Sequence, residues 1–185
     1  MNLKEKPFYL DDSAVEWVNK TLESLTDDEK IGQLFLPIGY SNDKGYLNHL
    51  VELGIGGLFY RPGDAQEVQQ TYEYVQKNSK IPLLTAANLE DGGNGAATQG
   101  TAYGNQMAVT ASDCYSNAYT LGEIAAKEGK AVGVNWGFSP VVDLDLNFRN
   151  PITNVRTYGS DVERVIRNAK EYIQAFHDNG MMTSI

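Results

Sequence analysis

The stretch of sequence that decides the fold runs from residue 131 to residue 160 and reads AVGVNWGFSPVVDLDLNFRNPITNVRTYGS. Residues 134–142 within it are apolar and β-prone, which predicts a buried strand. A polar loop follows at once, and the sequence Ser-Asp-Val-Glu at 160–163 is a capping box that opens a helix. Strand, charged loop and helix form one unit of an α/β fold, in which the chemistry lies at the carboxyl ends of the strands. We therefore expect this loop to be part of any functional site.

Strands and helices alternate along the rest of the chain as well. Amphipathic patterns predict helices between the strands, the first of them over residues 12–24. A long loop rich in glycine, asparagine and threonine, residues 88–111, follows the third strand, and loops of this length are usually functional. Apolar runs predict the other strands at residues 34–38, 55–60, 81–87 and 181–185.

Alternating strands and helices that are joined by short connections require a parallel sheet. The expected fold class is therefore α/β: an incomplete (β/α)₈ TIM barrel with about four βα units and the start of a fifth strand, in one domain over residues 1–185. An open doubly wound sheet is the alternative that the pattern leaves open. A half barrel has unpaired strand edges and an uncovered apolar surface. We expect it to associate with a copy of itself or with the missing half of the barrel.

The composition argues against several classes of function. The net charge is −9 and the sequence has no basic run, which argues against nucleic acid or a membrane surface as a partner. Cys114 is the only cysteine, and neither His49 nor His177 has a second ligand at metal-binding spacing, so we expect neither a metal nor another cofactor. The sequence shows no signal peptide and no apolar run of membrane-spanning length, so the expected location is cytoplasmic.

Five segments follow one another along the chain: LTDDEKIGQLF, GIGGLFY, PLLTAANLEDGGNG, GVNWGFSPVVDLDLNFRNPITNVRTYGSD and HDNGMMTSI. Together they resemble the N-terminal barrel of glycoside hydrolase family 3, which contains β-glucosidases and β-N-acetylglucosaminidases (or hexosaminidases). The resemblance covers the chain from about Leu25 and is strongest from Asn135 to Gly159. It implies a retaining mechanism, in which a carboxylate attacks the anomeric carbon and a second group protonates the leaving oxygen.

In this family the nucleophile is an Asp on a late barrel strand, and the acid/base of the N-acetylglucosaminidase branch is a His–Asp pair after the fifth strand. By the resemblance neither lies within this chain, so we expect no catalytic residue here and no activity from the chain alone. The resemblance implies that the chain is part of a retaining glycoside hydrolase acting on β-linked N-acetylglucosamine or glucose. The alternative is a non-catalytic α/β module that binds a carbohydrate or another small ligand.

The resemblance also assigns sugar contacts to two loops. Arg156 matches the family's Arg in R-[ST]-[FY], and its fixed fork of donors suits adjacent hydroxyl groups. The alternatives are a solvated arginine or a partner for Asp143, a residue at the end of the fourth strand that we expect to contact the sugar or to support the loop. Asn88 and Glu90 match the family's D-x-E-G-G. The sequence departs from that motif, because Asn88 replaces the Asp and Asp91 is inserted where the first Gly would fall.

Three further residues near the fourth strand have structural interpretations besides the functional ones. Asp145 follows Asp143 by two positions, and we expect Asp145 to face solvent rather than to form a catalytic pair with Asp143. Trp136 and Tyr158 offer aromatic faces that could stack on a sugar. Aromatic side chains on or beside a buried strand are more often part of the core or of loop packing.

Overall fold

The computed structural model describes residues 2–185, in which five short strands form one parallel sheet. The strands are β1 (Ile38–Gly39), β2 (Gly57–Tyr60), β3 (Leu84–Ala87), β4 (Trp136–Phe138) and β5 (Met182–Ser184). Each strand pairs with the next one along the chain, as successive right-handed βα connections require. The predicted α/β class with a parallel sheet is confirmed. The barrel is not closed, because β1 and β5 each have one unpaired edge.

Helices precede and follow the strands, and none within residues 2–185 is long and apolar enough to cross a bilayer. They are α1 (Asp12–Ser24), α2 (Asp27–Gly32), α3 (Lys44–Glu52), α4 (Ala65–Asn78), α5 (Gln106–Ala111), α6 (Ser116–Ala131) and α7 (Val162–Asp178). The first of them begins and ends where its periodicity predicts. A reciprocal capping box starts α2, where the Glu29 N–H donates to Thr26 Oγ1 at 3.2 Å and the Thr26 N–H donates to Glu29 Oε2 at 2.8 Å.

The first strand lies further along the chain than predicted. The predicted segment, residues 34–38, begins with Leu34 and Phe35, whose N–H groups still donate to carbonyl groups three residues earlier at 3.0 Å. The backbone is therefore turning, and both side chains are exposed. The Phe35 carbonyl accepts the Gly56 N–H and the Pro37 carbonyl accepts the Phe59 N–H, both at 3.0 Å, and the strand itself begins at Ile38. The start of the predicted strand is therefore a helix exit.

Two boundaries around the fourth strand also differ from the prediction. The predicted strand 134–142 is reduced to Trp136–Phe138, because the backbone of Val141 bonds to a side chain from α5 rather than to a neighbouring strand. The helix that follows the polar loop has Asp161 as its N-cap, not Ser160. The Asp161 carboxylate accepts the N–H of the residue three positions later at 2.8 Å.

The helices cover one face of the sheet. Alternation along the strands points one set of side chains toward α4, α6 and α7, where they are buried. These side chains are Leu58, Tyr60, Thr85 and Ala87. The axes of α6 and α7 approach closely because a glycine lies between them, since a Cβ atom on Gly122 would lie 2.8 Å from the Tyr172 carbonyl oxygen. Phe176 of α7 is fully buried in the same layer and stacks on the Tyr172 ring at 4.7 Å.

The opposite face of the sheet, here called the inner face, is apolar. Its centre is buried, with Phe59 7% and Ala86 0% exposed, and its two ends are exposed. Strand pairing places Ile38, Phe59, Ala86, Trp136 and Met182 in one row across it. The side chains at the two ends of this row, on β1 and β5, are 38% and 45% exposed. In a closed barrel, side chains on this face fill the interior.

Replacing Gly122 with leucine should force α6 and α7 apart, because the new side chain meets backbone rather than space. We expect Gly122→Leu to lower the free energy of unfolding by about 3 kcal/mol. The matched control is Ala131→Leu, at the exposed end of the same helix, which should change it by less than about 0.5 kcal/mol. Urea unfolding followed by circular dichroism measures both. Equal effects would contradict the close helix packing described here.

Candidate functional site

Two loops meet at the carboxyl edge of the sheet, one after β3 and one after β4. The first is shorter than predicted, because its last six residues, 106–111, form α5. Glu90 lies in the first loop and Arg156 in the second, and the two side chains form a bidentate ion pair. Arg156 Nε donates to Glu90 Oε2 and Nη2 donates to Oε1, both at 2.7 Å. The pair joins segments that are 66 residues apart in the sequence.

The guanidinium group is held from both sides and still has free donors. Arg156 ends a 3₁₀ turn, Asn154–Arg156, and its Nη1 donates to the Ile152 carbonyl at 3.1 Å. A guanidinium has five N–H groups, so two of them have no partner among the described residues. The Arg156 side chain is 43% exposed, whereas the Glu90 side chain is 12% exposed. The geometry thus presents an oriented pair of donors to the solvent side of the loops.

Carboxylates surround this single cation. The hydrogen bonds with Glu90 raise the pKa of Arg156, partial burial opposes that rise, and the charges of Glu90, Asp143 and Asp91 add to it. Burial raises the pKa of Asp91, and repulsion from Glu90 adds to the rise while Arg156 opposes it. Asp91 Oδ1 is also buried without a hydrogen-bond partner. The site is therefore more negative than positive, which suits a neutral ligand with many hydroxyl groups better than an anion.

The four predicted sugar-binding residues occupy the same edge of the sheet but are not all in contact. Arg156 and Glu90 are joined directly, and Asn88 is exposed just after β3. Asp143 is exposed and acts on the Arg156 charge through space, but no hydrogen bond in the described part of the chain joins them. The alternative interpretation of Arg156 as a partner for Asp143 is therefore wrong, because Glu90 takes that place.

The solvent exposure of three more residues in or beside this loop tests the remaining expectations. Asp145 is half-buried instead of fully solvent-facing: its Oδ1 is buried without a hydrogen-bond partner among the described residues, and its backbone N–H donates to the Gly159 carbonyl at 3.0 Å. Tyr158 is only 1% exposed and cannot offer its ring to a sugar. Trp136 lies half-buried on the inner face, with its ring edge-to-face with Phe138 at 4.8 Å.

Two side chains that hold the loops in place were not predicted from the sequence. Gln106 of α5 is fully buried, and its Nε2 donates to the Val141 carbonyl at 2.8 Å while its Oε1 accepts the Val141 N–H at 2.9 Å. Glu128 of α6 accepts from the Thr101 N–H at 2.7 Å and from its hydroxyl at 2.6 Å. Each of these side chains bonds to a loop backbone group that would otherwise need a backbone partner. No spacing in the sequence indicates that a polar helix residue does this.

No group of three or more His, Cys, Asp or Glu residues within positions 2–185 is arranged to hold a metal ion. The two histidines lie on different helices, His49 on α3 and His177 on α7. The chemistry that the described loops can offer is therefore hydrogen bonding from a fixed cation and from several carboxylates.

Removing Glu90 should leave a partly buried arginine without its acceptor. We expect Glu90→Ala to lower the free energy of unfolding by about 1–2 kcal/mol. Glu16→Ala is the matched control, because Glu16 of α1 pairs with Lys20 at 2.5 Å but its side chain is 64% exposed. That control should cost less than about 0.5 kcal/mol. Chemical denaturation at one pH compares the two variants, and equal losses would show that burial adds nothing to the Glu90 pair.

Comparison with known proteins gives a consistent result. The model of the glycosyl hydrolase family 3 N terminal domain matches residues 26–185. A β-N-acetylglucosaminidase/β-glucosidase of Cellulomonas fimi is 40% identical over 185 residues, which are 100% of this chain and 33% of the relative. The solved structure of a β-glucoside phosphorylase bound to 2FGlc is 47% identical with a TM-score of 0.91, over 98% of this chain and 33% of that one.

A β-N-acetylglucosaminidase of Paenibacillus sp. str. FPU-7 is more distant, with a TM-score of 0.78 and 27% identity over 86% of this chain and 32% of that one. The chain thus spans about a third of the length of the relatives that it matches. The parallel sheet agrees with the fold of these structures, and the resemblance found in the sequence is confirmed. On this evidence the chain belongs to glycosyl hydrolase family 3 and matches its N-terminal domain.

Proposed function

We propose that this chain supplies the glycone-binding part of a retaining glycosidase that acts on β-linked N-acetylglucosamine or glucose. The observation that carries the proposal is the Glu90–Arg156 pair, which fixes the guanidinium plane at the carboxyl edge of the sheet while two N–H groups remain open. Two donors in a rigid fork match adjacent sugar hydroxyls, as a flexible ammonium group would not. The relatives named for N-acetylglucosaminidase and glucosidase activity support this substrate class.

The neighbouring groups complete the proposed sugar contacts. A sugar hydroxyl both donates and accepts, so it needs acceptors beside the arginine donors. The exposed Asp143 carboxylate and the Asn88 amide provide them from the loop after β4 and the end of β3. An excess of carboxylates over cations also disfavours anionic sugars such as uronates. The proposed glycone is therefore neutral.

Catalysis in this proposal comes from residues outside the chain. A retaining mechanism needs a carboxylate nucleophile and an acid/base group on opposite sides of the glycosidic bond. The family resemblance assigns both to segments after the fifth strand. The chain by itself is accordingly expected to bind sugar without turning over a glycoside.

A second candidate is a phosphorylase that uses the same glycone site. It is favoured by the β-glucoside phosphorylase structure, which is 47% identical over 98% of this chain. In such a reaction phosphate, instead of water, receives the sugar. The negative charge around Arg156 makes this half of the site a poor phosphate site, so the phosphate would be held elsewhere. The product formed by a full-length enzyme in phosphate buffer separates the two: free sugar for a hydrolase, sugar 1-phosphate for a phosphorylase.

Sugar binding by the chain tests the main proposal directly. Titration with glucose or N-acetylglucosamine, followed in ¹H–¹⁵N correlation spectra, should shift signals from residues 88–92 and 141–159, with a Kd of about 1–10 mM. Arg156→Lys should weaken binding about tenfold, because the bidentate fork is lost. Arg164→Lys on α7 is the control and should bind as the parent does. Unchanged binding by Arg156→Lys, or shifts confined to other segments, would remove Arg156 from the site.

We also propose that the open sheet is covered by a partner: a copy of this chain or the polypeptide that completes the barrel. The exposed ends of the inner face and the unpaired edges of β1 and β5 support this, since exposed strand edges and apolar patches promote association. Sedimentation of the purified chain should therefore give a concentration-dependent mixture of species. A stable, compact monomer over a wide range of concentration would contradict it.

A further inference from the structure

We infer that Tyr172, a buried tyrosine in the middle of α7, is a positioning residue for the Glu90–Arg156 pair. Its hydroxyl joins the loop after β3 to the end of β4 and so fixes the backbone from which Glu90 reaches Arg156. The consequence for sugar binding rests on the function proposed above, whereas the effect on the ion pair does not.

The hydroxyl group makes two hydrogen bonds in the interior. It donates to the Leu89 carbonyl at 2.8 Å, and it lies 2.8 Å from Ser139 Oγ. A phenol has one hydrogen, so the Ser139 hydroxyl must be the donor in the second bond. Tyr172 and Leu89 are fully buried and Ser139 is 1% exposed, so no water competes for these bonds.

The first of these bonds acts on Glu90 through a rigid unit. The Leu89 carbonyl belongs to the peptide group that joins Leu89 to Glu90, and this group is planar. Holding its oxygen therefore fixes the direction in which the Glu90 Cα enters the loop. The bidentate pair needs that precision, because both contacts to Arg156 are 2.7 Å long and the two planar groups must stay aligned.

The Tyr172 ring cannot easily move away from this place. It stacks on Phe176 at 4.7 Å, and the α7 backbone beside it is held against Gly122 of α6. Burial raises the pKa of the Tyr172 hydroxyl well above its usual value, and the charges of Glu90 and Asp91 add to the rise. The hydroxyl therefore remains a donor throughout the pH range in which proteins are normally studied.

Tyr72 on α4 provides a matched control within the same chain. It is also buried, and its hydroxyl donates to the Ala86 carbonyl at 2.9 Å and accepts the Tyr60 N–H at 3.1 Å. Its two bonds link strands β2 and β3 instead of the two loops. Loss of the hydroxyl removes two buried hydrogen bonds in either case, but only Tyr172 adjoins Glu90.

The experiment compares Tyr172→Phe with Tyr72→Phe in the 185-residue protein. Solvent exchange of the Arg156 Nε–H, identified by its disappearance in Arg156→Lys, reports the ion pair, and glucose titration reports the site. Both variants should lose similar stability in urea. Only Tyr172→Phe should speed the exchange about tenfold and weaken glucose binding by about the same factor.

Exchange at the parent rate in Tyr172→Phe, or equal acceleration in Tyr72→Phe, would overturn the inference. Faster exchange in Tyr172→Phe together with no glucose binding by the parent protein would support the positioning role and reject the proposed function. If Tyr172→Phe does not fold, Ser139→Ala removes the link to β4 and keeps the Tyr172 ring. That variant should also speed the exchange, and an unchanged rate would count against the inference.

Discussion

The two loops at the carboxyl edge are irregular, and their own turns and bridges pair only part of their backbone. The need to pair the rest shapes the structure around them. Buried N–H and C=O groups must be paired, because an unpaired one costs about as much as a lost hydrogen bond. Side chains from three helices meet this need: Gln106 from α5, Glu128 from α6 and Tyr172 from α7. The helices therefore do more than cover the sheet. They hold irregular backbone in the places from which Glu90 and Arg156 meet.

Elements with strong local signals could be predicted from the sequence. The helix Asp12–Ser24 follows from its periodicity, and the parallel sheet follows from the alternation of strands and helices. The first strand could not be placed correctly, because its apolar run is solvent-exposed and pattern analysis assumes that such runs are buried. The fourth strand was predicted too long because the side chain that takes over its backbone partners, Gln106, gives no signal in the sequence.

The candidate site, too, could be predicted only in part from the sequence. Arg156 and Glu90 were each found by their resemblance to family motifs, but their pairing was not. The two residues are 66 positions apart, and Asp143, much nearer in sequence, was the more obvious partner for the arginine. Only the folded arrangement of the two loops decides between them. The partial burial of Asp145 was missed for a related reason, since this residue lies in no periodic segment, whereas the packing of Tyr158 agrees with the usual place of an aromatic side chain beside a strand.

The inner face of the sheet can also be followed by tryptophan fluorescence. The chain has only two tryptophans, Trp17 on the exposed side of α1 and the half-buried Trp136 in the row across the inner face. Indole emission moves to shorter wavelength when water is excluded. Whatever covers the sheet will change the emission of Trp136 and leave that of Trp17 as an internal reference. The inner face thus carries its own fluorescent reporter.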